Sequence, residues 1–198
     1  MQVLNKGYVT LVESMGGDQA VIRNARRCWR SESKGPDSDR KLIRHLLHKD
    51  HMTPFESMVY TFDVKAPIFV ARQWMRHRMG SYNEESLRYC VATREYYIPE
   101  GLSAEDLVLW EVANERQFSA YEWWIQSEGM AKERARTILP LNLYTKYYWT
   151  VNGSSLMNFL ALRMDKHAQK EIQQYAQAVK KLAAEAAPVT IEEWEGIQ

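Results

Sequence analysis

The sequence predicts an α+β fold, and three observations carry that prediction. Long stretches with apolar residues at helical spacing occupy most of the chain, a few β-branched and aromatic runs read as strands, and no repeat, low-complexity tract or long linker divides them. A length of 198 residues suits one domain with a real core, and 45% apolar content excludes a disordered or fibrous chain.

The elements follow in order. GYVTLVE (7–13) alternates as a strand. DQAVIRNARRCW (18–29) has helical spacing, with Asp18 as its expected N-cap, and the polar SESKGPDSD (31–39) reads as a surface loop. DRKLIRHLLHK (39–49) is a short amphipathic helix, and SMVYTFDVKA (57–66) is a strand. Pro67 suits a first helical turn and opens a helix through about Arg78, which Gly80 ends, with GSYNE as a turn beyond it. EYYIPE (95–100) is extended. Ser103, with Asp106 three residues on, resembles a capping box and starts a Trp-rich helix to about Ser127. MAKERARTIL (130–139) is helical until Pro140, LYTKYYWTVN (143–152) is β-rich, and SSLMNFLALRM (154–164) and the alanine-rich stretch 166–187 are helical.

Charge narrows the function. A net charge of +1 argues against a general electrostatic grip on nucleic acid, so any positive charge that matters is local. It is concentrated in RQWMRHRMGSYNEESLRY (72–89), which holds four arginines and a histidine in a region without lysine between Lys65 and Lys132. If 67–78 is helical, Arg72 and Arg76 lie at i, i+4 and share a face with Gln73 near a helix C-terminus, where the dipole tolerates cations. Guanidinium forks beside small hydroxyls suit bidentate phosphate recognition, whereas lysine offers only a point charge. A solvated arginine face is the alternative reading of the same residues. RAR (134–136) and Arg163 are weaker signals of the same kind.

Here the residues carry a resemblance. Arg76-His77-Arg78, seven intervening residues and Ser86 resemble the RHR-x7-S signature of the flavin-dependent thymidylate synthases. HMTPFE (51–56), LPLNLYTKYYWTVN (139–152) and SLMNFLALRMDKHAQKEIQ (155–173) are similar to further segments of that family, in the same order. The resemblance spans nearly the whole chain. It implies a single domain over 1–198 with the thymidylate synthase-complementing fold, long helices and a small antiparallel sheet, assembled as a homotetramer with shared active sites. It implies conversion of dUMP to dTMP, with 5,10-methylenetetrahydrofolate as carbon donor and NADPH-reduced FAD as hydride source.

The same resemblance assigns residues. Thr53, Arg76, His77, Arg78, Glu84, Asn152 and Asn158 match flavin-contacting positions, and His51 lies near the isoalloxazine. Gln73, Arg76, Glu84, Glu85, Ser86, Leu87, Arg88 and Arg136 match the dUMP pocket, where backbone N–H groups of 86–88 are further expected donors. Arg163 matches the residue that activates the uracil. An arginine is a poor proton acceptor, so the role expected here is stabilisation of negative charge on the N3/O4 edge. The family often has an arginine two residues after the asparagine; Ser154 stands there in this chain, leaving the Gly153–Ser154 backbone at a helix N-terminus to receive the anion.

Other signals carry less. His45, His48 and His51 are spaced by three, but no cysteine or second cluster completes a metal site, and none is expected. Cys28 and Cys90 are expected to be reduced, and Cys90 to be a small buried residue rather than a nucleophile. Trp110, Trp123 and Trp124 at helical spacing point to core or inter-subunit packing. There is no GxGxxG and no Walker loop, so FAD must be held by other means. No apolar run of about eighteen residues and no leader pattern occurs, so a soluble, cytoplasmic protein without a membrane partner is expected. Without the resemblance, two rivals stand beside the enzyme: an RNA-binding module using arginine and aromatic residues, and a nucleotide-sensing oligomer without flavin.

Overall fold

The computed structural model describes residues 1–197. At its centre lies a five-stranded antiparallel sheet of β1 (Gln2–Val3), β2 (Gly7–Met15), β3 (Val59–Pro67), β4 (Ser81–Glu84) and β5 (Tyr144–Asn152), in the order β1-β2-β3-β5-β4. β3 and β5 pair along their whole length, from Val59↔Asn152 to Pro67↔Tyr144. Alternation along these strands buries Tyr60, Phe62 and Val64 beside Tyr147, Trp149 and Val151.

Eight helices form among the described residues: α1 (Gly17–Arg27), α2 (Pro36–His48), α3 (Ile68–Trp74), α4 (Ala104–Gln126), α5 (Lys132–Ala135), α6 (Gly153–Met164), α7 (Lys170–Ala186) and α8 (Pro188–Glu195). Single 3-10 segments form at Thr53–Ser57 and Arg136–Ile138. The apolar face of α7 covers the sheet through Ile172, Tyr175 and Val179, and Tyr175 Oη donates to the Lys65 carbonyl at 2.7 Å. Phe159 of α6 fills the space between Trp74 and Trp149, at centroid distances of 4.8 and 4.9 Å. A second cluster gathers Phe118 and Tyr121 of α4 with Ala92, Tyr96, Ala135 and Leu143.

Several expectations need correction. α3 stops at Trp74 instead of continuing to Arg78, because Tyr82 Oη takes the carbonyls of Trp74 (3.2 Å) and His77 (2.8 Å) and bends the chain back. Arg72 and Arg76 therefore do not share a helical face. The expected turn at GSYNE is mostly β4, an edge strand whose pairing with β5 (Ser81↔Thr150 to Glu84↔Tyr147) has no local apolar signal. The helix expected over 130–139 shrinks to α5 and a 3-10 turn. The helix of 166–187 begins only at Lys170, and β1 and α8 lie outside the expected elements.

Asp18 is in the first turn of α1, not at its N-cap, which is Gly16 at φ 100°. Its carboxylate instead accepts from Val189 N (3.0 Å), Thr190 N (2.8 Å) and Thr190 Oγ1 (2.6 Å), capping α8 from across the chain. The Ser103 cap forms as expected, accepting from Asp106 N at 3.1 Å. Cys90 is exposed, as is Cys28, because the polar segment after β4 lies on the surface. Trp110 is half-buried and donates to the Tyr97 carbonyl, whereas Trp123 and Trp124 lie on the outer surface of this chain against each other. Among the described residues, no helix is long and apolar enough to cross a membrane, and no three His, Cys, Asp or Glu side chains are grouped to hold a metal ion. His45 and His51 meet edge to face at 6.5 Å.

Candidate active site

The expected residues fall into three groups framed by α3, β4 and α6. The first surrounds Arg163, in the last turn of α6. Its Nε donates to His77 Nε2 at 2.9 Å, and its Nη2 donates to the Gln73 carbonyl at 3.0 Å. Among the described residues, Nη1 has no hydrogen-bond partner. His77 also meets the Phe159 ring edge to face at 5.0 Å. Burial, reinforced by the Arg163 charge, pushes the His77 imidazole down to about 4, so it is neutral at physiological pH and accepts this hydrogen bond. Arg163 is itself lowered, first by burial and then by Arg76. Gln73 is anchored by donating from Nε2 to Gln169 Oε1 at 2.6 Å.

The second group sits at the other end of α6, about 15 Å along its axis from the 1.5 Å rise per residue. Asn152 is the N-cap of α6, accepting from Ser155 N at 2.8 Å. The Gly153 amide donates to Met58 O at 2.9 Å, so it is not free for an anion as expected. A Cβ on Gly153 would lie 2.4 Å from Met58 Cε and 2.7 Å from Phe55 O, so glycine is what lets the 51–58 segment approach α6. His51 and Thr53 of that segment are exposed, and so is Asn158. Residues 75–80 connect the two ends. His77 lies against α6, and Gly80 against Trp149 and Thr150, beside the start of α6.

The third group follows β4. Glu84, Glu85, Leu87 and Arg136 line a cavity of about 300 Å³ together with Ile68 and Tyr144. Glu84 Oε1 accepts from Thr145 Oγ1 at 2.6 Å, and burial raises the carboxyl of Glu85, partly offset by Lys146. Ser86 Oγ accepts from Arg88 N at 3.3 Å, so that amide is already engaged. Arg88 Nε donates to Glu133 Oε2 at 3.2 Å. No hydrogen bond or ion pair among the described residues joins Arg163 to Ser86, Arg88 or Arg136. Sequence reasoning missed Tyr82, Gln169, Phe159, Thr145 and Glu133. Of these, only Tyr82 stands inside the arginine-rich stretch, where its position was a usable signal.

Arg76, Arg78, Arg136 and Arg163 form no ion pair among the described residues, unlike Arg40, Arg44 and Arg94 elsewhere. Arg76 lies close enough to Arg163 to lower its pKa, and two guanidinium groups so placed, without ion pairs among the described residues, suit an anionic ligand. The fold is thus α+β, with one arginine at the end of α6 clamped onto a neutral histidine.

Comparison with known proteins places it further. The family model described as "Thymidylate synthase complementing protein" matches residues 10–189. The flavin-dependent thymidylate synthase of Thermotoga neapolitana is 49% identical over 199 residues, covering 96% of this chain and 91% of its own. That of Thermosipho africanus is 45% identical over 210 residues, with 96% and 92% covered. A UMP/dUMP methylase from Streptomyces cacaoi, solved with 5-Br dUMP, superposes with a TM-score of 0.90 at 33% identity, over 99% of this chain and 97% of that one. The chain belongs to the flavin-dependent thymidylate synthase family.

Proposed function

We propose that this protein converts dUMP to dTMP, taking the carbon from 5,10-methylenetetrahydrofolate and the hydride from FAD reduced by NADPH, and releasing tetrahydrofolate. The observation that carries the reading is the Arg163 fork, fixed on His77 and the Gln73 carbonyl among arginines that lack acid partners.

The donor set fits FAD. Arg76 and Arg78 offer guanidinium groups without ion pairs among the described residues, Thr53 an exposed hydroxyl, and Asn152, Ser154 and Asn158 polar side chains in the N-terminal half of α6, where the helix dipole favours phosphate; the Gly153 amide, engaged by Met58 O, contributes close approach and not a donor. Bound reduced FAD supplies the hydride. His77, kept neutral, holds Arg163 in one orientation and adds no charge of its own beside the ring system. His51 borders the expected approach of folate and NADPH.

Gln73, Arg76, Glu84, Glu85, Ser86, Leu87, Arg88 and Arg136 are assigned to dUMP. Arg88 exchanges Glu133 for the nucleotide phosphate, gaining a doubly charged acceptor in place of an exposed carboxylate. Arg163 Nη1 stabilises negative charge on the N3/O4 edge of the uracil, which makes C5 the nucleophile. No thiolate is required.

A homotetramer of single-domain chains with shared sites is part of the proposal. It is supported by the lack, among the described residues, of any hydrogen bond or ion pair joining Arg163 to the Ser86–Arg88 group, and by the exposed apolar side chains Val108, Leu109, Val112, Trp123 and Trp124 on α4. The test is anaerobic turnover of labelled dUMP. The protein is expected to be yellow, to bleach with NADPH and to release tetrahydrofolate. A colourless protein, or dihydrofolate as co-product, overturns the reading.

A further inference from the structure

A second concentration of arginine lies on α1 and in the turn that follows it, and includes none of the residues assigned above. Arg23, Arg27 and Arg30 recur at i, i+4 and i+7, and with Arg26 and the loop 31–33 they line a cleft of about 760 Å³. Arg26 is buried. Its Nη2 pairs with Asp39 at 2.8 Å and reaches Ser38 at 3.2 Å, while its Nε is buried without a partner. Arg23, Arg27 and Arg30 are exposed and form no ion pair among the described residues. Glu32 is the one acid among the lining residues and pairs with none of them.

Like charges at i, i+4 repel along a helix. The dipole at the end of α1 favours cations only within its last turn, and Arg23 and Arg30 lie on either side of that turn. Arg30 further takes a left-handed backbone, φ 47°, which few non-glycine residues adopt. Between Arg27 and Arg30, Trp29 is 84% exposed. Guanidinium forks beside an uncovered indole suit a flat ring joined to phosphates.

We infer that this cleft is an anion subsite for a nucleotide carrying two or more phosphates. Resting on the function proposed above, its occupant is the phosphate-bearing end of the dinucleotide reductant. The glutamyl end of a folate shares the chemistry of adjacent anions, but Trp29 beside the forks favours the nucleotide.

The flavin-loaded full-length protein is titrated with NADP⁺, with pyrophosphate and with an oligoglutamyl folate, by calorimetry. Arg27→Glu with Arg30→Glu is expected to weaken NADP⁺ and pyrophosphate by about tenfold or more, with flavin content and dUMP affinity unchanged. Arg27→Gln with Arg30→Gln serves if the charge reversal fails to fold. Trp29→Ala is expected to weaken NADP⁺ and spare pyrophosphate. Unchanged NADP⁺ affinity in the arginine variants, or a loss confined to the oligoglutamyl folate, overturns the assignment. Turnover with chemically reduced flavin bypasses the dinucleotide. Variants that work by this route but fail with NADPH support the subsite, whereas a wild type inactive by this route defeats the proposed function and leaves the binding result intact.

Discussion

Arg163 Nε donates to His77 Nε2 across 2.9 Å, so the histidine of the RHR motif serves as an acceptor and carries its proton on Nδ1. Protonation of His77 abolishes that acceptor and sets a second cation beside Arg163. Its ionisation at about 4 in the fold, against 6.5 when free, means that the unfolded chain binds the proton first. The contribution to stability is present above pH 6.5 and is lost as pH falls toward 4. His77→Gln retains an acceptor and cannot titrate. Thermal midpoints across this window are expected to fall less steeply in the variant than in the wild type; parallel curves would remove His77 as the group responsible.

Arg163→Lys tests the fork. Lysine cannot donate at once to His77 Nε2, Gln73 O and a uracil edge in one plane. Turnover is expected to fall by about 10²-fold with flavin content retained, the usual loss for one charge-stabilising donor. Near-normal turnover with an unaltered pH profile would rule out the planar-fork role.

Tyr82→Phe removes the hydroxyl that holds the Trp74 and His77 carbonyls. Leaving these carbonyls short of a donor costs about 1–3 kcal/mol, or roughly 2–12 °C in thermal midpoint for a chain of this size. FAD affinity is expected to drop with it, because residues 75–80 lose their anchor. Equilibrium titration of the apoprotein with FAD reads this directly.

Ser154→Arg adds a guanidinium at the start of α6. A cation there opposes the helix dipole, so the apoprotein is expected to melt slightly earlier. With FAD present the sign reverses, and a charge-assisted contact to phosphate is expected to tighten binding by about tenfold. An unchanged dissociation constant would place the FAD phosphates elsewhere.

Cys90→Ala is expected to keep full flavin-dependent activity, since the thiol is exposed and carbon–carbon bond formation is assigned to no thiolate. Steady-state dTMP formation by the folded variant is the measurement.

The candidate residues were named in advance only through the resemblance carried by short, chemically mixed segments, HMTPFE and RHR with Ser86; of them the structure joins Arg163, His77 and Gln73 by hydrogen bonds. The alternating strands β3 and β5 and the capped helix α4 were plain. Relations between distant segments were not. α3 ends early because of a hydroxyl eight residues beyond Trp74, and β4 is a strand only because β5 stands beside it. Gln169 and Glu133 earn their place by proximity to Gln73 and Arg88, which no periodicity encodes. Cys90, a small apolar residue by type, lies outside because its segment has no sheet to cover.

The carboxylate of Asp18 that caps α8 reaches Thr190, 172 residues later in the chain. During synthesis the first helix therefore waits for 172 further residues before its acid finds the amides it serves. Closure of that contact is a late event with a large loop to bring together, which slows folding without greatly altering final stability. Truncation a few residues before Pro188 would leave an N-terminal segment carrying an unsatisfied acid, and such a fragment should be cleaved by protease at α1 long before the central strands open.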